Sequence, residues 1–127
     1  LGTFAIGGTT AYFAGNVINV PQADYHSIFK VPLPNGLGGA APPRFVAMAA
    51  LGNSVAGMVA DDQYLYYIET GFQNSATVAS IQRCPHSGCA TPPEVIAPTQ
   101  PGGAGAMIQD SVSIFWVSGA SIWRLAK

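Results

Sequence analysis

Apolar side chains in this sequence arrive in short alternating runs, each closed by Gly, Pro, Asn or Asp, the pattern of strands that bury one face. Three such segments align without internal gaps: FAIGGTTAYFAG (4–15), MVADDQYLYYIE (58–69) and MIQDSVSIFWVS (107–118). Each reads as an apolar pair, a turn and an aromatic pair, so that Tyr12, Tyr66 and Phe115 correspond, as do Phe13, Tyr67 and Trp116. The recurrence comes about every 50 residues, a period typical of repeat architectures. A second block follows each copy: SIFKVP (27–32), SIQRCP (80–85) and SIWRLA (121–126). A third, PPRFVAMA (42–49) and PPEVIAPT (92–99), follows the first two copies only. Its prolines suit an outer strand, where a missing N–H faces no neighbour.

The unit is therefore expected to hold four short strands: A (around 4–7, 57–60 and 106–109), B (10–14, 64–69 and 113–117), C (27–31, 80–84 and 121–125) and D (44–48 and 94–97). The prediction is an all-β fold with one repeat domain over 1–127, its units about 1–52, 53–101 and 102–127, the last lacking strand D. Radially repeated four-stranded antiparallel units make a β-propeller, which closes with about four to eight blades. Three blades imply a portion of a six- to eight-bladed ring, with further blades from the same or another chain as partners. The segments 15–26 and 70–79 between B and C are read as long loops and the variable surface, and GLGGA (36–40) and GGAGA (102–106) as flexible connectors.

The blocks GMVADDQYLYYIE, ASIQRCPHSGC and PEVIA, in that order, resemble the blades of YWTD-type and NHL-like propellers: a Gly–apolar–x–Asp opening, an aromatic pair, an Ile-x-Arg strand and an apolar outer strand. They are especially similar to propeller repeats of uncharacterised secreted proteins of myxobacterial type. The resemblance spans essentially the whole chain and is weakest in the first copy, where Gly7 and Gly8 stand in place of Asp61 and Asp62. It speaks for a fold and not for an activity, because propellers host unrelated functions.

Composition narrows the partners. With 49% hydrophobic residues, 127 residues suffice for one modest core. Five basic against six acidic residues give a net charge of −1, without the basic footprint that nucleic acid or an anionic membrane requires. No uninterrupted apolar run approaches the roughly 18–20 residues of a membrane span. Leu1 is not an initiator methionine and no leader precedes it, the pattern of a processed chain or a piece of a longer one.

Cys84 and Cys89 flank Pro85-His86-Ser87-Gly88 at the end of a C strand. Such a hairpin brings cross-strand Cβ atoms within disulfide reach. Zinc ligation by Cys84, His86 and Cys89 would want a fourth group and a second closely spaced pair, whereas the other histidine, His26, is a repeat away. A redox-active pair would want a two-residue spacing at a helix N-terminus. The disulfide is the expected outcome, and with it an oxidising compartment: secreted, periplasmic or cell-surface.

The aromatic pairs offer sugar-stacking platforms. Neighbouring strand residues point to opposite faces, however, so each pair is expected to put one ring into each inter-blade layer as packing. Asp61 and Asp110 recur at the A–B turn, where turn capping is expected ahead of calcium binding because the acidic recurrence is broken at Gly7. Lys30, Arg83 and Arg124 recur as one cation per unit, suited to solvated or cross-blade pairing. Asp61, Asp110, His26 and His86 are the candidate ligand-facing groups, with no metal and no cofactor expected. No catalytic signature is present: Ser27 beside His26 is not a triad, and the glycine runs lack the lysine of a phosphate loop. The expected function is a secreted binding or scaffold module presenting loops to protein or carbohydrate ligands. The alternative is a propeller-based lyase or hydrolase, which requires His and acidic side chains to converge at one channel mouth.

Overall fold

In a computed structural model, described here over residues 3–15, 27–33, 44–48, 53–89 and 92–127, the chain forms strands and, among the described residues, no helix. In order they are β1 (Phe4–Gly7), β2 (Thr10–Gly15), β3 (Ser27–Pro32), β4 (Arg44–Met48), β5 (Ser54–Ala60), β6 (Tyr64–Gln73), β7 (Ala76–Pro85), β8 (Glu94–Pro101), β9 (Ala104–Gln109), β10 (Ser113–Ser118) and β11 (Ser121–Ala126). They form three antiparallel sheets: sheet I in the order β1-β2-β3-β4, sheet II β5-β6-β7-β8, and sheet III β9-β10-β11. The fold is all-β.

Register repeats with the sequence. Tyr12 lies opposite Lys30, Tyr66 opposite Arg83 and Phe115 opposite Arg124, so the recurring aromatic always faces the recurring cation on its neighbouring strand. The proline-opened strands β4 and β8 lie at sheet edges, where a lost donor costs nothing.

Alternation then divides each central strand between two layers. Ala5, Tyr12, Ala14 and Ile28 of sheet I meet Met58, Ala60, Leu65, Tyr67 and Cys84 of sheet II in one core. From its other face, sheet II sends Tyr66, Ile68, Ala79 and Ile81 against Ala104, Met107, Ile114 and Trp116 of sheet III. Sheet II thus has a forward face, turned to sheet III, and a backward face, turned to sheet I, and the equivalent faces of sheets I and III take the same names.

The first strands are mutual neighbours, β1 packing on β5 and β5 on β9. Glycine permits the approach. A Cβ on Gly7 would lie 2.7 Å from the Asp61 carbonyl oxygen, and one on Gly57 would lie 2.8 Å from the Gly105 carbonyl oxygen, both too close for a side chain. Residues of these three strands alone, among them Phe4, Ile6, Val59 and Gln109, line a concavity of about 260 Å³.

Two expectations are corrected. Residues 70–79 are not a loop: β6 continues to Gln73 and β7 begins at Ala76, joined through Asn74 and Ser75. Both turn residues are left-handed (φ 50° and 63°), the backbone of a two-residue type I′ hairpin whose twist matches its strands. The GGAGA run is only partly a connector, since β9 starts at Ala104 and the turn itself is Gly102-Gly103, both at positive φ. The 16–26 segment, with His26, and the GLGGA run lie outside the described residues.

Candidate functional site

The β5–β6 and β9–β10 turns are built alike. Asp61 Oδ1 accepts the N–H groups of Gln63 and Tyr64, both at 2.8 Å, and Asp110 Oδ1 accepts those of Val112 at 2.8 Å and Ser113 at 2.7 Å. A short carboxylate that satisfies two turn donors explains why aspartate recurs there. The two turns flank a cleft of about 700 Å³ between sheets II and III, lined also by Asp62, Tyr64, Tyr66, Arg83, Gln109 and Lys127.

Lys127 bridges the turns. Its Nζ donates to the Asp110 carbonyl at 2.8 Å and lies 3.5 Å from Asp61 Oδ2. Burial alone would raise the Asp61 carboxyl, but the N–H groups of Tyr64 and Gln63 and the Lys127 charge outweigh it and hold the group below the ordinary carboxylate range. The Asp110 carboxyl is held low chiefly by the Val112 N–H, helped by Ser113, Arg124 and Lys127. Both are therefore anionic at neutral pH.

Arg83 forms the opposite wall. Its Nε and Nη2 reach the two oxygens of Glu94 at 2.7 and 3.0 Å, a bidentate pair, and its guanidinium lies 4.6 Å from the centre of the Tyr64 ring. The Glu94 hydrogen bond raises the already basic guanidinium. Burial raises the Tyr66 hydroxyl, as does the neighbouring Asp61 charge. Gln109 donates across the sheets to the Ala60 carbonyl at 2.6 Å, while its Oε1 is buried without a partner. The cleft thus offers fixed charges of both signs, side-chain amides and tyrosine rings, groups that hydrogen-bond and stack. No group of three or more His, Cys, Asp or Glu among the described residues is placed to hold a metal ion.

His86 does not line this cleft. It belongs to the interface of sheets I and II, in the loop closed by the Cys84–Cys89 disulfide, whose Cα atoms are 4.6 Å apart. Its N–H donates to the Gln63 carbonyl at 3.0 Å, its carbonyl accepts Lys30 Nζ at 3.0 Å, and its ring sits 5.2 Å from that of Tyr12. One loop therefore fastens sheet I to sheet II, with Cys84 fully buried in their shared core. The disulfide is consistent with an oxidising compartment. Among the described residues no helix is long and apolar enough to cross a membrane.

The aromatic pairs fall on two kinds of surface. Tyr12, Tyr66, Tyr67 and Trp116 are buried between sheets. Phe13 and Phe115 are half-buried on the outermost faces, Phe13 stacked on Phe29 at 5.7 Å and Phe115 under Arg124 at 5.9 Å.

A buried polar chain escapes a reading of the sequence alone. The Tyr67 hydroxyl donates to Gln82 Oε1 at 2.8 Å, Gln82 Nε2 donates to Glu69 Oε2 at 2.6 Å, and Asn53 Nδ2 donates to Glu69 Oε1 at 2.6 Å. Burial, together with the Glu69 charge, pushes the Tyr67 hydroxyl far up, so it stays a donor. Its signal was a Glu and a Gln at inward positions of otherwise apolar strands. Comparison with protein-family models, with curated proteins and with solved structures finds no match to this chain.

Proposed function

We propose that this chain is a three-blade portion of a β-propeller that works outside the reducing cytosol as a non-catalytic binding and scaffold module, its ring completed by further blades. Three features support the propeller reading: a sequence repeat in phase with the sheets, first strands that adjoin one another around a concavity, and fourth strands at the sheet edges. The disulfide supports a secreted or surface location.

The observation that carries the binding reading is the cleft between the two aspartate turns. Its groups are engaged in holding their own backbone and one another, which fixes their positions in advance of any ligand. Asp62 and Ser111 are exposed at its rim, beside the half-buried ring of Tyr64. Donors, acceptors and a ring face suit a hydroxyl-rich ligand such as a carbohydrate. The hydrolase or lyase reading has less support: His86 packs against Tyr12 and beside the Asp61 backbone in the neighbouring interface, and does not line the cleft that the Asp61 and Asp110 carboxylates flank.

The test is calorimetric titration of the chain with a panel of neutral oligosaccharides, repeated with Tyr64→Ala and Asp62→Ala. Binding that weakens at least tenfold in both variants is expected. Absence of binding across the panel, or affinity indifferent to both substitutions, would remove the carbohydrate reading.

A further inference from the structure

Equivalent positions of the repeat can be compared directly for burial. On the forward face, Ile28 of sheet I and Ile81 of sheet II are fully buried, but their counterpart in sheet III, Ile122, is 78% exposed. Ala5 is buried and Val59 packs on the second core, but Ile108 at the same position is 66% exposed. On the backward face the contrast reverses along the chain. Met58 and Met107 are buried, whereas their counterpart Phe4 in sheet I is 68% exposed. Sheet III therefore ends in an uncovered forward face (Ile108, Phe115, Val117, Ile122), and sheet I in an uncovered backward face (Phe4, Phe13, Phe45).

The two internal interfaces state what covers a forward face: the backward face of a sheet of the same repeat. Among the described residues one such face is free, on sheet I, and it is aromatic where the sheet III face sets the branched Ile108, Val117 and Ile122 around Phe115. We propose that a second copy of the chain docks there, sheet I of each copy on sheet III of the other, so that two chains close a head-to-tail ring of six sheets. The proposal rests on the propeller reading above and continues the mode of packing already present twice within the chain. Two different patches meet, which makes each contact heterologous, and closure rather than a filament follows if the rotation per sheet is that of a ring within the four-to-eight range.

The experiment is native mass spectrometry and sedimentation of the purified chain, with Phe4→Glu and Ile122→Glu variants whose far-ultraviolet circular dichroism matches the parent. Both substitutions fall on exposed side chains, so the sheets themselves should form. The parent is expected at twice the 13.1 kDa chain mass, each variant as a monomer with dimerisation weakened at least tenfold, and an equimolar mixture of the two variants as a dimer, because one intact head then meets one intact tail. A parent that is monomeric at tens of micromolar, an open series of higher oligomers, or a mixture that stays monomeric would overturn the proposal. So would a dimer sensitive to only one of the two substitutions, the mark of a patch pairing with itself. Because oligosaccharide titration reads the cleft between sheets II and III within one chain, failure there and failure here are separately visible.

Discussion

Reduction of the Cys84–Cys89 disulfide should cost the protein about 2 kcal/mol. The bond spans a sequence separation of 5 residues, and loop-closure entropy for so short a ring comes to about 7 cal/mol/K, or about 2 kcal/mol at 25 °C. Unfolding entropy near 2.1 cal/mol/K per residue, taken over the chain, is about 270 cal/mol/K, so the melting temperature should fall by about 7 °C. Reduced parent protein isolates this term, since both sulfurs stay in place. The Cys84→Ala/Cys89→Ala variant should lose about 1 kcal/mol more, because Cys84 is fully buried between sheets I and II and its removal leaves a small void. Urea unfolding of oxidised, reduced and alanine forms at one protein concentration gives all three values, and the m-value should stay constant if the native state is unchanged. As Cys84 is inaccessible, reduction has to be completed in denaturant before refolding. The reasoning fails if the reduced parent unfolds within 0.5 kcal/mol of the oxidised one. A loss well above 3 kcal/mol would equally show that the His86 loop holds the two sheets together by more than ring entropy.

Gly57→Ala should destabilise by about 1–3 kcal/mol, because the new methyl group would press on the backbone of β9 rather than on a movable side chain; thermal melts matching the parent would contradict the close approach of β5 and β9. The depressed Asp61 and Asp110 carboxyls contribute stability that is complete above the unfolded-state value near 4 and is lost as pH falls through their lower folded values. Asp61→Asn keeps the turn acceptor but not the charge, so its stability should fall less steeply than the parent's as the pH drops below about 4, and superimposable acid profiles would argue that Lys127 and the turn N–H groups do not favour the anion.

The strands were legible because the repeat wrote each of them two or three times: one Ser-Ile-x-Lys/Arg block is ambiguous, while three in the same order are not. What misled was length. Thr70 to Ala79 looked like a loop because Gly71, Asn74 and Ser75 break the apolar pattern, yet Gly71 sits inside β6, and Asn74-Ser75 is itself the turn. The aspartates at 61 and 110 could be read as turn residues from their place between apolar pairs. Their cleft could not, since Arg83, Gln109 and Lys127 reach it from β7, β9 and the residue after β11, and only the packing of sheet II on sheet III unites them. The place of His86 between sheets I and II, against Tyr12 and Lys30, was equally hidden, because which sheet neighbours a loop is a tertiary fact.

The glycine approach at the first strands has a geometric meaning of its own. At β1–β5 and β5–β9 the separation is set by bare backbone, while one strand further out Tyr12, Tyr66, Tyr67 and Trp116 stand between the sheets. Thin at one end and thick at the other, each layer is a wedge, and the wedge fixes the angle through which one sheet is turned from the next. How far each sheet is turned from the one before is then written in the difference between a glycine and a tyrosine, and thickening the narrow end would reduce that turn.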